Sequence, residues 1–265
     1  MQRRHFFKFA IAGSIATVGF TRPTIGLASR WPSAAFEAKS VSGALHHLYR
    51  SSHATPSTAI SIAAPIQSTG RAVPITVESV LKNVDGIAIV VEGNPYPLST
   101  FVRTPHAGCF YRCHIRMAKS SAVTAYLQAG GKLYSNSAQV KISVGGFGMH
   151  GELAEEQRAN RGSYDTKVWA RKNPEGEIQI AVLVGHPMGG TTSWRDKGVN
   201  FSGKFIKSMS FYLNGELAAE ALFGPNVATN PVTGITLPTA KAGDMVVVKW
   251  YDSTGMRGGG TAQIT

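Results

Sequence analysis

The sequence predicts an all-β protein made of two antiparallel β-sandwiches, with one short helix ahead of the first. Three observations carry that prediction. From Ser57 onward, apolar residues alternate with polar ones in short runs, the period of half-buried strands. These runs follow one another closely with no helical stretch between them, whereas a parallel sheet needs long crossovers. The pattern then breaks at Val144-Gly145-Gly146-Phe147-Gly148, and a polar, charge-rich run continues to about Thr166. The break divides the chain into a first sandwich over 31–148, a linker over 149–165 and a second sandwich over 166–265.

Residues 1–28 stand apart from this scheme. Arg3-Arg4 precede His5-Phe6-Phe7-Lys8 and a moderately apolar run from Phe9 to Phe20, interrupted by Gly13 and Gly19. The run is too short for an ordinary membrane span, and the paired arginines read as a twin-arginine export signal. Cleavage near Leu27-Ala28 would place the mature protein in the periplasm without a membrane span. It would also remove Arg3, Arg4, Lys8 and Arg22 from a formal charge of +12, leaving a basic chain. The remaining Lys and Arg residues are scattered, with no cluster or aromatic–basic recognition motif, so nucleic acid is not the expected partner. A positive field suits an anionic substrate or an acidic partner.

Pro32 to Tyr49 reads as the helix, with Phe36, Val41, Ala44, Leu45 and Leu48 on one stripe. His46, His47 and His53 lie close in sequence, but adjacent histidines on a helix point apart and no third ligand has convincing spacing. Ala59–Ala64 and Ala72–Glu78 are the first strands, and Pro74 places the second at an edge or bulge. Val84–Glu92 is the most apolar strand and is expected at the centre of its sheet. The prolines of Asn94-Pro95-Tyr96-Pro97 end it. Strands follow at Leu98–Arg103, Tyr111–Met117, Ser121–Ala129, Leu133–Ser135 and Gln139–Val144, with Gly130-Gly131 turning the chain.

The second half repeats the style. Strands are expected at Thr166–Arg171 and Glu177–Gly185, with Trp169, Ile178, Ile180, Val182 and Val184 facing inward. His186-Pro187-Met188-Gly189-Gly190 stops the chain sharply, and a long loop carrying Trp194 and Arg195 runs to Gly203. Phe205–Leu213 and Glu216–Phe223 flank Asn214-Gly215, the strongest hairpin turn present. Ile235–Pro238, Met245–Tyr251 and Thr261–Thr265 complete the set.

Little in the sequence reads as catalysis. There is no G-x-S-x-G nucleophile elbow, no H-E-x-x-H, no calcium loop and no P-loop lysine. His186 and Met188 occupy a conspicuous strand end, where loop packing outweighs a ligand role. Cys109 and Cys113 are the only cysteines. On an extended strand they stand roughly 13 Å apart, beyond the reach of a disulfide, although a turn at Gly108 could close the gap. A local disulfide, free thiols and a reactive pair all remain open. No cofactor or metal is implied, and the pattern favours an exported binding or carrier protein over an enzyme.

Both halves resemble the two subunits of SoxYZ, the periplasmic carrier of thiosulfate oxidation, joined in one chain. The first half resembles SoxY over about 31–148, through Phe36-Glu37-Ala38-Lys39, Ile60-Ser61-Ile62-Ala63-Ala64-Pro65, Val73-Pro74-Ile75-Thr76-Val77-Glu78, Asn94-Pro95-Tyr96-Pro97-Leu98 and Gly131-Lys132-Leu133-Tyr134. The second half resembles SoxZ over about 166–265, through His186-Pro187-Met188, Phe205-Ile206-Lys207, Asn214-Gly215, Phe223-Gly224-Pro225, Asn230-Pro231 and Lys241-Ala242-Gly243-Asp244. The resemblance implies an immunoglobulin-like sandwich in each half. It further implies a glycine-rich arm whose single cysteine carries sulfur intermediates between partner Sox enzymes. Here the arm tip reads Gly145-Gly146-Phe147-Gly148, and a phenyl ring has none of the thiolate chemistry that such carriage needs. Expectation therefore divides. A Sox-type scaffold or accessory that binds other periplasmic Sox enzymes or carriers comes first. A covalent or redox role for Cys109 or Cys113, or an exported ligand- or metal-binding protein outside sulfur metabolism, are the alternatives.

Overall fold

Two β-sheets packed face to face form the body, and each passes through both halves of the chain. The computed structural model describes residues 31–143, 162–189 and 203–265. The expected export signal (1–28), the expected arm tip (145–148), most of the expected linker and the stretch carrying Trp194 and Arg195 lie outside the described residues.

The single helix expected over Pro32–Tyr49 is two, α1 (Ser33–Phe36) and α2 (Val41–Tyr49). Ser40 separates them: its extended backbone starts α2, and its hydroxyl accepts the Gly43 N–H at 3.1 Å. A serine side chain satisfies a free helix-start donor better than it serves a helix interior, so Ser40 caps α2, while α1 has already ended at Glu37. Arg50, in the left-handed region at φ 59°, closes α2.

The first half then supplies β1 (Thr55–Pro56), β2 (Ile60–Ala63), β3 (Gln67–Ser68), β4 (Val73–Ser79), β5 (Val84–Val91), β6 (Leu98–Arg103), β7 (Phe110–Ile115), β8 (Ser121–Ala129) and β9 (Lys132–Ile142). The second supplies β10 (Thr166–Lys172), β11 (Ile178–Val184), β12 (Ile206–Leu213), β13 (Glu216–Phe223), β14 (Val232–Leu237), β15 (Met245–Asp252) and β16 (Arg257–Gln263). Most lie where the period-two runs place them. β9 is one unbroken strand, since Asn136 and Ser137 pair with β8 rather than turn. β16 starts earlier than expected because glycines 258–260 pair with β15 instead of forming a loop.

One sheet runs β1-β9-β8-β5-β6-β13-β12-β15-β16, with β3 beside β9, and the other runs β10-β11-β14-β7-β4-β2. The halves meet inside both sheets. β6 pairs antiparallel with β13 from Thr100↔Phe223 to Arg103↔Glu220, and β7 pairs with β14 through Arg112↔Gly234. Separate sandwiches would leave four edge strands here with unpaired N–H and C=O groups, and joining them satisfies those groups with backbone partners. β5 sits between β6 and β8, the interior position its apolar run predicts. Pro74 lies beyond the last β2 pairing, Ala63↔Thr76, so its missing N–H breaks no ladder on that side.

One hydrophobic core fills the space between the sheets and crosses the junction, from Ile75, Ile89, Tyr111 and Leu127 to Val182, Phe211, Val248 and Trp250. A second cluster lies on the outer face of the first sheet. There α1 and α2 place Phe36, Ala44 and Ala35 on Ala88, Val90, Leu98 and Phe101, and on Leu222 of the second half. Gly224 makes room for this packing, because a Cβ there would stand 2.9 Å from the Phe36 ring and 3.2 Å from the Leu98 carbonyl oxygen. Trp31 stacks on Phe36 at 4.9 Å and donates its indole N–H to the Phe223 carbonyl at 3.0 Å, which ties the first described residue to the second half. At Asn214-Gly215 both residues have positive φ, 50° and 92°, the geometry of a tight hairpin.

Trp169 departs from its expected inward position. It pairs with Ala181 on the outer face of the second sheet and is 49% exposed, while Thr166, Val168 and Ala170 face inward. β10 alternates as its sequence predicts, but the small residues Thr166, Val168 and Ala170 take the inward positions and the indole the outward one. No helix among the described residues is long and apolar enough to cross a membrane.

Candidate functional site

The expected arm would follow β9, whose end is held on two sides. β3 pairs parallel with it, Gln67↔Lys141 and Ser68↔Ile142, and the Ser143 N–H donates to the Ser68 carbonyl at 3.0 Å. On the other side the Ser120 hydroxyl accepts the Ile142 N–H at 2.8 Å. The backbone is thus anchored up to Ser143. Gly145, Gly146, Phe147 and Gly148 follow outside the described residues.

Cys109 and Cys113 are separate thiols. Tyr111 and Cys113 share the inward parity of β7, whereas Cys109 lies in the bend just before that strand. Cys113 is fully buried, and burial pushes its thiol up to about 12. Cys109 is half-buried and donates to the Leu81 carbonyl at 3.2 Å. Burial, and then the Glu177 carboxylate, also raise its pKa. The thiolate is the reactive form, so both environments suppress nucleophilic attack. Cys109 borders an open groove of about 540 Å³ between the halves, together with Glu78, Glu177 and Gln179. Alkylation of the native chain should therefore modify Cys109 slowly and Cys113 only after unfolding, as read by peptide mass spectrometry at neutral pH. Fast labelling of Cys113 in native buffer would contradict the burial.

His186 and Met188 are both fully buried at the junction. His186 Nδ1 accepts the Met188 N–H at 3.0 Å, which fixes the proton on Nε2, and Nε2 faces Asp252 Oδ2 at 3.3 Å. Met188 Sδ accepts the Ile206 N–H at 3.3 Å. These contacts occupy the groups that a metal would need. Among the described residues no set of three His, Cys, Asp or Glu side chains is arranged to hold a metal. His46 and His47 stand edge to face, 6.1 Å between ring centroids.

The residue that the sequence does not single out is Arg116. It is 2% exposed, and it reaches from the first half into the second. Its Nη1 donates to the carbonyls of Met188 at 2.7 Å and Pro225 at 3.2 Å, and its Nη2 to Thr229 Oγ1 at 2.6 Å. Asn94 braces the same segment, donating to the Arg116 carbonyl and accepting from the Ala118 N–H, both at 2.8 Å. The matched pieces Asn94-Pro95-Tyr96-Pro97, His186-Pro187-Met188 and Phe223-Gly224-Pro225 therefore meet at one junction. Only the pairing of the halves gives them a common purpose.

Fold and site together define a two-sheet β-sandwich protein whose halves are separate in sequence and fused through both sheets. The sulfur oxidation protein SoxY family matches residues 45–146, and the sulphur oxidation protein SoxZ family matches residues 167–263. The sulfur carrier protein SoxY from Chlorobium limicola f thiosulfatophilum is 32% identical over 42% of this chain and 99% of that one, with a TM-score of 0.37. The chain belongs to the SoxY family and continues into a SoxZ domain, a fused SoxY–SoxZ arrangement. A β-glycosidase from Bacteroides vulgatus (9% identity, 77% of this chain, 24% of that one, TM-score 0.23) is also similar. So is a β-glucuronidase from Parabacteroides merdae (11%, 79%, 25%, 0.24). Similarity at that level carries no argument about activity. No curated protein matches the sequence.

Proposed function

We propose that this chain is an exported SoxYZ-type body that serves sulfur oxidation in the periplasm as a scaffold or accessory, without carrying sulfur covalently on its arm. The observation behind this reading is Phe147, which stands between Gly146 and Gly148 where the family's carriers place a cysteine. A carrier cycle needs a thiolate that attacks and a sulfur that leaves, and a benzyl side chain supplies neither. The reading takes residues 1–28 as a twin-arginine signal, 31–148 as the SoxY-like domain ending in the arm, 149–165 as linker and 166–265 as the SoxZ-like domain. Its partners are the other periplasmic Sox-type enzymes or carriers, and turnover belongs to them. The anchored root at Ser143 supports an arm that still leaves the body at a defined place.

A second reading, sulfur loaded on Cys109, has one observation in its favour: that thiol borders the open groove. Its raised pKa weighs against it.

Intact-mass analysis after incubation with thiosulfate and the oxidising Sox enzymes separates the two. The native chain should gain no sulfur adduct, while Phe147→Cys should gain one. An adduct on native Cys109 would establish the second reading instead. Failure of F147C to load, with a standard SoxYZ loading in parallel, would count against a retained docking geometry.

A further inference from the structure

The edge strand β10 carries an arrangement that neither the core nor the junction uses. β10 ends the second sheet and pairs only with β11. Lys167, Trp169 and Arg171 alternate along it on the outer face, all exposed. The neighbours across from Trp169 in register are Ala181 on β11 and then Gly234 on β14, too small to cover an indole. Beyond the backbone ladder to β11, the side chains of Lys167 and Trp169 have no hydrogen-bond, ion-pair or ring partner among the described residues, and the Arg171 side chain reaches Gln179 at 3.4 Å. The strand itself is held firmly. Trp250 Nε1 donates to Thr166 Oγ1 at 2.8 Å, and Val168 packs inward against Gly260 of β16.

Charges on an edge strand commonly serve to prevent sheet-to-sheet aggregation. That purpose accounts for Lys167 and Arg171 but not for a half-exposed tryptophan between them, which adds apolar surface to the very edge being guarded. Tryptophan and arginine are instead the side chains that most often anchor protein interfaces.

We propose that β10 is a docking edge for an extended segment of a partner protein, one that presents carboxylates at alternate positions flanking an apolar side chain. Laid along β10, such a segment would set its two carboxylates opposite Lys167 and Arg171 and its apolar residue against the Trp169 ring, while its backbone continues the sheet. The same pattern disfavours a second copy of this chain. Antiparallel pairing centred on Trp169 would set Lys167 opposite Arg171, and like charges directly opposite destabilise a ladder. The chain stays basic even without Arg3, Arg4, Lys8 and Arg22 of the expected signal, which favours approach of an acidic partner. This proposal goes beyond the reading of the arm and does not depend on it.

The test uses the full chain and a short capped peptide of alternating Thr with Glu, Val and Glu at the intervening positions, beside a control with Lys for Glu. The acidic peptide should bind and slow hydrogen exchange at the β10 amides. Its affinity should fall about tenfold, roughly 1.4 kcal/mol, in W169A and by at least as much in K167E/R171E. The charge-reversed protein should prefer the Lys peptide. If W169A loses its fold by circular dichroism, W169T, with a strand-forming residue, replaces it. Three results would overturn the proposal. The first is equal binding by the variants. The second is protection confined to other strands, including a heparin-like response to any polyanion. The third is a concentration-dependent dimer that W169A dissolves.

Discussion

Replacing Arg116 with alanine should cost more stability than any other single truncation at the junction. The guanidinium is buried and is the donor for the Met188 and Pro225 carbonyls and for Thr229 Oγ1, all from the second half. Thr229 in turn donates to the Pro187 carbonyl at 3.3 Å, so the loss spreads to the turn after β11. Removing one side of a buried, charge-assisted network leaves acceptors dry and unsatisfied and opens a void. The expected loss is about 3–5 kcal/mol, or a Tm lower by about 10 °C for a chain of this size. Arg116→Lys should recover only part, since an ammonium cannot span the Met188 and Thr229 acceptors as a planar fork does. Calorimetry distinguishes two origins of the loss. A single transition that moves down as a whole means that the halves unfold together through their shared sheets. A split into two transitions would mean that Arg116 holds otherwise independent domains.

The sequence shows most of the strands and very little of the junction, and the reason is physical. β4 alternates apolar and polar residues because one face meets the core, and β5 is apolar along nearly its whole length because the core covers one face and the helices the other; both patterns survive in the text of the chain. Which strands become neighbours is a long-range matter. Nothing local in Leu98–Arg103 or Glu216–Phe223 says that they pair, yet that pairing and the one between β7 and β14 make two sandwiches into two continuous sheets. Arg116 reads as an ordinary charged residue at a strand end, and its burial follows only once Met188 and Pro225 arrive beside it. Trp169 erred in the opposite sense, since its size suggested a core position that the register of β10 on β11 denies. Phe147 was legible because its interest is chemical: a side chain without a nucleophile is evident in the sequence whatever the fold.

Asp252→Ala is expected to be nearly as damaging as the loss of Arg116, and its effect should depend on pH in a direction set by His186. Asp252 Oδ1 accepts the Thr254 N–H and Met256 N–H at 2.9 Å and the Thr254 hydroxyl at 2.8 Å, while Oδ2 faces His186 Nε2 at 3.3 Å and Lys204 Nζ at 3.8 Å. Burial opposes ionisation of this carboxyl, but the hydrogen bonds from Thr254, His186 and the Met256 N–H outweigh it and hold the pKa below the usual carboxylate value. Truncation leaves those donors buried without an acceptor, at a cost of roughly 3–5 kcal/mol near neutral pH. His186 is displaced in its own way. Burial lowers its pKa, and the hydrogen bond and charge of Asp252 only partly offset that. Below the ordinary histidine pKa of about 6.5 the unfolded chain takes up a proton that folded His186 resists, so stability falls as pH drops through that range. Below about pH 4 the depressed Asp252 pKa adds a second loss, as its stabilising charge is titrated. Urea unfolding between pH 7.5 and 5, chosen to bracket about 6.5, should therefore show declining stability in the native chain. His186→Gln should flatten the slope. His114 titrates in the same direction, because burial and then Arg112 lower its pKa, so H114N belongs in the same series to separate the two histidines. A native chain whose stability rises on acidification across that window would mean that His186 is charged in the fold and paired with Asp252 as an ion pair. That corner of the second half would then be built on a buried salt bridge, and not on the neutral imidazole that the contacts of His186 with Met188 and Trp250 favour.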